Sequence, residues 1–224
     1  MTTRSHNAGF FTRVWARTLN KLLQRLRTRQ GESLPVVELS AEHVQHLVVV
    51  PDRRALVARM PRGGRVAELG VADGDFSALI LEIAQPDELR LIDTWQGRRY
   101  GDGQMHVRAR FRDAIARGKV AVDVGLSTQV LARFDDAYFD WVYIDTDHTY
   151  ARTRRELELA AKKVKAAGVI AGHDYVTGNW NSGMRYGVVE AVHEFCVQHG
   201  WELIVLTSET DRHLSFALRR LASA

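Results

Sequence analysis

The sequence predicts an α/β protein built on a doubly wound sheet. Seven mostly parallel strands should carry helices on both faces and end in an antiparallel strand. Three observations predict this. From residue 64 onward, short apolar runs alternate with helix-length segments, a pattern that closes as a parallel sheet with right-handed crossovers. A glycine-bearing turn joins the first of these strands to the first helix. Only Ser208–His213, a polar turn, separates the last two strands, and so short a connection requires an antiparallel pair.

The predicted strands are residues 65–70, 89–94, 120–124, 141–145, 169–173, 203–207 and 214–218. The predicted helices are residues 75–85, 104–118, 127–134, 150–166 and 187–199. Upstream, Ser40 is placed to cap a short helix, and residues 52–62 read as another. We divide the chain into an N-terminal helical extension, 1–62, and a catalytic-type domain, 63–224.

With 224 residues, 46% hydrophobic and 26% charged, the chain has the composition of an ordinary globular protein. A single cysteine, Cys196, rules out an internal disulfide and a multi-cysteine metal site. It fits a reducing compartment, and the cytoplasm is the expected location. No apolar run approaches the roughly 18 residues a membrane-spanning helix needs. The densest patch, Leu47–Val50, stops at Pro51.

The net charge of +4 is unevenly spread. Residues 1–30 hold seven basic side chains and no acid, which leaves the rest of the chain at −3. The high isoelectric point therefore does not argue for nucleic-acid binding by the main domain. Within the basic arm, Phe11, Trp15, Leu19, Leu22, Leu23 and Leu26 recur at helical spacing. Such a helix suits packing on its own domain, pairing in a homodimer, an anionic membrane surface, a polyanion, or an organellar transit peptide. The sequence leaves these open.

Two segments concentrate chemistry. Strand 141–145 runs into Asp145-Thr146-Asp147-His148-Thr149-Tyr150, and strand 169–173 runs into His173-Asp174-Tyr175. As neighbouring parallel strands, their ends would lie about 4.8 Å apart at the sheet rim where α/β proteins bind ligands. Asp145, Asp147, His148, His173 and Asp174 would then converge as metal ligands or proton carriers. Asp147 or His148 also suits capping of the helix that starts near Thr149.

The first strand and turn read Glu68-Leu-Gly70-Val-Ala-Asp73-Gly74. Glycines there let the backbone turn sharply and approach a ligand. The spacing is Glu-x-Gly-x-x-x-Gly rather than the Gly-x-Gly-x-x-Gly of dinucleotide binders. Asp93 ends the second strand, where an acid accepts hydrogen bonds from ribose hydroxyls. No tyrosine is followed four residues later by lysine, which weighs against a nicotinamide enzyme.

The glycine turn, Asp93 and the strand order together resemble class I methyltransferases. That resemblance implies S-adenosylmethionine as cofactor, held by Glu68, Gly70, Asp73, Gly74 and Asp93, with Ser127 at the adenine and Asp145 bordering the site. Amino-methyltransferases of nucleic acids end the fourth strand with Asn/Asp-Pro-Pro-aromatic; Asp145–His148 has no proline, so no nucleic-acid partner is expected.

Over about residues 64–220 the chain further resembles Mg²⁺-dependent sugar O-methyltransferases, of the macrolide-sugar and methylmannose-polysaccharide kinds. The Asp145–Tyr150 run, the Gly168–Tyr175 run and Ser215–Arg219 carry the likeness. It implies a divalent metal, expected to be Mg²⁺, on Asp145, His173 and Asp174, with His148 as general base and Asp145 also catalytic. His173 departs from the family, which has an acid there; imidazole suits Zn²⁺ or Mn²⁺ better than Mg²⁺. The acceptor would be a small molecule or oligosaccharide. Tyr150, Tyr175 and Trp180 are its expected contacts, and the loops 176–186 and 95–104 its expected surroundings. A phenolic or catechol-like acceptor, a cephalosporin-hydroxylase-like reaction and a non-enzymatic binding subunit are the alternatives.

Overall fold

The computed structural model describes residue 15 and residues 18–25, 33–97, 100–179, 183–210 and 213–222. It separates into two compact units, residues 1–35 and 36–224. In the first, residues 18–25 are helical, which agrees with the predicted amphipathic segment; Phe11 and Leu26 lie outside the described residues.

The second unit is an eight-stranded sheet with helices on both faces. In chain order it contains β1 (Val48–Val50), α1 (Arg53–Val57), β2 (Arg65–Leu69), α2 (Asp75–Ile83), β3 (Glu88–Asp93), α3 (Gly103–Arg110) and α4 (Arg112–Ala116). Then follow β4 (Val120–Val124), α5 (Ser127–Leu131), β5 (Phe139–Ile144), α6 (Tyr150–Lys163) and β6 (Val164–Gly172). A small hairpin, β7 (Gly178–Asn179) with β8 (Met184–Arg185), precedes α7 (Val188–His199), β9 (Trp201–Thr207) and β10 (Phe216–Arg220).

The large sheet has the order β1-β9-β10-β6-β5-β2-β3-β4, and all its pairs are parallel except those of β10. The seven predicted strands are all present, and β10 is antiparallel as its short connection required. The eighth strand, β1, was not among the expected ones. Val48-Val-Val50 pairs in parallel with Val205–Thr207 and covers the edge that β9 would otherwise expose. Three β-branched residues suit that position, and Pro51 stops the run. The compact body therefore begins at Val36, upstream of residue 63.

Side-chain alternation fills a core on each face. Along β5, Val142 and Ile144 join Leu131, Leu157, Phe195 and Trp201 on one face. Trp141 and Tyr143 join Leu56, Ile80, Leu91 and Phe111 on the other. Phe139 and Trp141 face opposite cores although two residues apart, because the register with β6 shifts between them.

The register also fixes the site. Leu69 pairs with Ile92 on one side and Ile144 on the other, and Ile144 pairs with Gly172. The residues that leave these strands, Gly70, Asp93, Asp145 and His173, therefore emerge along one rim.

Candidate active site

The turn after β2 is set by backbone geometry. Gly70 has φ +87°, and a Cβ there would stand 1.8 Å from the carbonyl oxygen of Asp145. Only glycine lets this turn press against the end of β5. Gly74, at φ +82°, is the left-handed N-cap of α2, and a Cβ would meet the Phe111 ring at 2.8 Å. Asp93 holds the turn from below. Its Oδ2 accepts from the amides of Val71 (2.7 Å) and Ala72 (3.0 Å), and its Oδ1 accepts from Trp95 N (2.8 Å). The Trp95 indole in turn donates to Ala72 O at 2.8 Å. Asp93 thus shapes the loop; Oδ2 is fully engaged by two amides, and Oδ1 retains a further lone pair that can face a ribose.

Glu68 is buried beneath the turn and accepts from Ser77 Oγ at 2.5 Å. Burial pushes its carboxyl up to about 8, against the opposing hydrogen bond. It supports the loop from inside the core. Asp73 is exposed and meets His106 Nδ1 at 3.1 Å. Ser127, expected at the adenine, opens α5 but donates its hydroxyl to Glu156 on α6. Glu156 also accepts from Thr146 Oγ1 at 2.8 Å, so a buried carboxylate ties α5 to the residue beside Asp145.

Three of the predicted groups meet. Asp145, His148 and Asp174 each offer a ligand atom within 4.8 Å of the others. His148 Nδ1 lies 2.9 Å from Asp174 Oδ2. His213 Nδ1 contacts the other oxygen, Oδ1, of the same carboxylate. Burial alone would raise Asp174, but its hydrogen bonds to His148 and His213 and the charges of His148 and His173 hold it at about 2. Asp174 is therefore ionised and can only accept, which fixes a proton on His148 Nδ1, so that the neutral ring carries its lone pair on Nε2. Burial pulls the His148 imidazole down, yet the hydrogen bond and charge of Asp174, with Asp145 and Asp147, carry it above the ordinary histidine range. Burial and the neighbouring Asp174 push Asp145 up to about 7, against His148 and Arg53.

His148 and Asp174 have φ +60° and +58°, left-handed values uncommon outside glycine. Ala72 (φ +50°) and Trp95 (φ +47°) repeat this where the chain leaves β2 and β3. Strained backbone at four positions around one rim is a mark of a functional site.

His173 does not join the group. Its Nδ1 faces Ser215 Oγ at 2.9 Å, and burial, with Arg53 nearby, depresses it to about 3. Ser215 is itself fully buried and tied to Thr207 Oγ1 through its amide at 2.8 Å. The place expected of His173 in a ligand set is taken geometrically by His148. Asp147 holds the turn into α6: its Oδ1 accepts from the amide (3.1 Å) and hydroxyl (2.8 Å) of Thr149. Thr149, rather than Asp147 or His148, is the N-cap of that helix.

The two described acceptor candidates have partners within the protein. Tyr150 directs its hydroxyl to Glu194 on α7, and Tyr175 directs its own to His193. Trp180 lies outside the described residues. Arg185 is engaged by Thr177 O (2.7 Å) and by Glu190.

Three site residues escaped the sequence reading. Arg53, on α1, places Nη1 3.6 Å from Asp145 Oδ2 and lies over the Phe76 ring. His213 sits in the turn before β10. Tyr186 is buried with its ring centroid 4.8 Å from that of His148 and 5.5 Å from that of His213. The antiparallel return of β10 beside β6 was a signal for His213, since it brings that turn to the same rim. Nothing in the sequence signalled Arg53.

Comparisons with known proteins bear on the fold and on residues 67–175. Residues 67–175, just under half of the chain, match the family model described as "Methyltransferase domain". No curated protein sequence matches significantly. The fold is similar to that of a Corynebacterium glutamicum protein, at 14% identity and TM-score 0.55, covering 97% of this chain and 99% of that one. It is similar to SMU.1697c from Streptococcus mutans, a methyltransferase by its description, solved in complex with SAH. There the identity is 9% and the TM-score 0.55, covering 75% of this chain and 95% of that one. The pyocyanin biosynthetic protein PhzM is similar at 14% identity and TM-score 0.53. That match covers 71% of this chain and 51% of PhzM, so the chain spans about half of that protein's length. Residues 67–175 are thus similar to a methyltransferase domain, and the sheet shares its fold with these solved structures.

Proposed function

We propose that the protein is an S-adenosylmethionine-dependent O-methyltransferase acting on a hydroxyl of a sugar or glycoside. The observation that carries this reading is the Asp174–His148 hydrogen bond beside Asp145, on the rim shared with the Gly70 turn. An amine in its free-base form offers a lone pair without help, whereas an aliphatic hydroxyl must lose its proton as the methyl arrives. A histidine held in one tautomer by a carboxylate is suited to take that proton. The likeness of the Asp145–Tyr150 and Gly168–Tyr175 runs to sugar O-methyltransferases supports a carbohydrate acceptor.

When bound, S-adenosylmethionine supplies an electrophilic methyl on a sulfonium and leaves as S-adenosylhomocysteine. The Gly70–Gly74 turn and Asp93 would hold it. His148 Nε2 receives the acceptor proton, and Asp174 stabilises the resulting imidazolium. Tyr186 fixes the ring plane by packing on it. Positioning of acceptor oxygen and methyl in line supplies much of the remaining rate.

The donor set fits a divalent cation: the carboxylates of Asp145 and Asp174 would hold it, with His148 within reach. Such a cation would lower the pKa of an acceptor hydroxyl and orient it. A second reading needs no metal. It is favoured by Arg53 beside Asp145 and by the two histidines that engage both oxygens of Asp174.

Turnover with and without EDTA separates the two. Loss in chelator and recovery with Mg²⁺ or Mn²⁺ supports the metal reading; full activity in chelator leaves the histidine–carboxylate pair alone. In either case His148→Ala should reduce turnover by about 10²-fold or more while S-adenosylhomocysteine still binds. Wild-type turnover in that variant would remove His148 as the base.

A further inference from the structure

We infer that the N-terminal helix is an interfacial anchor that lies on an anionic lipid surface. Among the described residues, 18–25 are helical and every one of them is exposed. Trp15 is 72% exposed, Leu19 56%, Leu22 54% and Leu23 38%. Leu19, Leu22 and Leu23 share one face of this helix as an apolar stripe, and Trp15 stands in the sequence at the spacing that would extend it. Lys21 and Arg25 lie outside the stripe on the same helix.

Charge selects the occupant. Residues 1–30 hold seven basic side chains and no acid. A second copy of the helix would bring like charges together with no acid to pair them. A nucleic acid would account for the charge but not for an exposed tryptophan and three leucines at this spacing. An anionic bilayer accounts for both: the apolar stripe enters the acyl boundary while the arginines and lysine meet the headgroups. No described helix is long and apolar enough to cross a membrane, so the mode is to lie on the surface. Tryptophan and leucine at the apolar stripe are the side chains this mode favours. The inference does not depend on the acceptor or the metal.

The test is flotation of the full-length protein with phosphatidylcholine vesicles, with and without about a third phosphatidylglycerol, at low and high salt. The protein should float with the anionic vesicles, remain in solution with the neutral ones, and be partly released by salt. Leu19→Glu with Leu22→Glu should lower the bound fraction about tenfold or more, and Lys21→Glu with Arg25→Glu should weaken it in the same direction. All four residues are exposed, so S-adenosylhomocysteine binding by each variant should match the parent and confirm an intact body. No flotation with anionic vesicles overturns the inference, as does equal flotation with neutral ones. A solution mass that falls from dimer to monomer in the leucine variant, without any vesicle effect, would assign the stripe to self-association instead.

Discussion

Asp174 is the residue on which the site turns. One carboxylate fixes His148 through Oδ2 and His213 through Oδ1, and its left-handed backbone aims it between them. Asp174→Asn keeps the shape but can also donate, so the His148 tautomer is no longer enforced. Turnover should fall about 10²-fold with cofactor affinity nearly unchanged, as single-turnover and binding measurements would show. Asp145, His148 and Asp174 were legible in the sequence because they cluster at the ends of two apolar runs. Arg53 was not, since its approach depends on how α1 packs. His173 stays open in the sequence, as a ligand or pointing away from the metal, because adjacent residues leaving a strand point to opposite sides; in the structure it faces Ser215. Glu156 makes a second prediction at this scale. It sits on the core-facing stripe of α6, with Thr153, Leu157, Ala160 and Lys163, and burial raises its carboxyl to about 7. The folded state then holds a proton that the unfolded state releases from about pH 4.5 upward. Stability contributed by this group is complete below about pH 4.5, falls as the pH rises to about 7, and changes no further above it. Glu156→Gln should flatten that part of the Tm-against-pH curve; an unchanged slope would show that the carboxylate is accommodated ionised.

In the proposed reading, the turn between β2 and α2 is the element that joins the cofactor to the His148–Asp174 pair. Gly70→Ala puts a methyl into the Asp145 carbonyl and forces alanine to a φ it disfavours. It should destabilise the protein by about 2 kcal/mol or more and weaken S-adenosylhomocysteine binding, read by thermal unfolding with and without ligand. Unchanged stability would mean the turn can relax away from β5. This element was readable from sequence through its glycine spacing and its place after an apolar run. β1 was not readable, because three valines outside the alternating body carry too little periodicity to distinguish an edge strand from a loop. Its role follows only from the sheet, where it pairs with β9.

At the scale of the whole molecule, the parallel sheet and its antiparallel end were legible from alternation and connection lengths, and the sheet brings Gly70, Asp93, Asp145 and His173 along one rim. The upstream limit of the body was less so. Leu56 and Val57 are fully buried and Arg53 reaches Asp145, all on α1. A chain that starts at residue 63 loses these side chains, worth about 1.5–3 kcal/mol each for the apolar ones, from a typical domain stability of about 5–15 kcal/mol. It should unfold at markedly lower temperature than a chain that starts at residue 36, which should keep its fold and its ligand. Equal melting temperatures would place residues 36–62 outside the stable body. The most direct test of the proposed catalytic arrangement is a crystal structure with S-adenosylhomocysteine and Mn²⁺, read by anomalous scattering. The account predicts the nucleoside against the Gly70–Gly74 turn and Asp93, and an open cleft between its sulfur and His148 Nε2. It predicts any metal peak at Asp145 and Asp174. A ligand bound elsewhere, or His148 turned away from the sulfur, would contradict it.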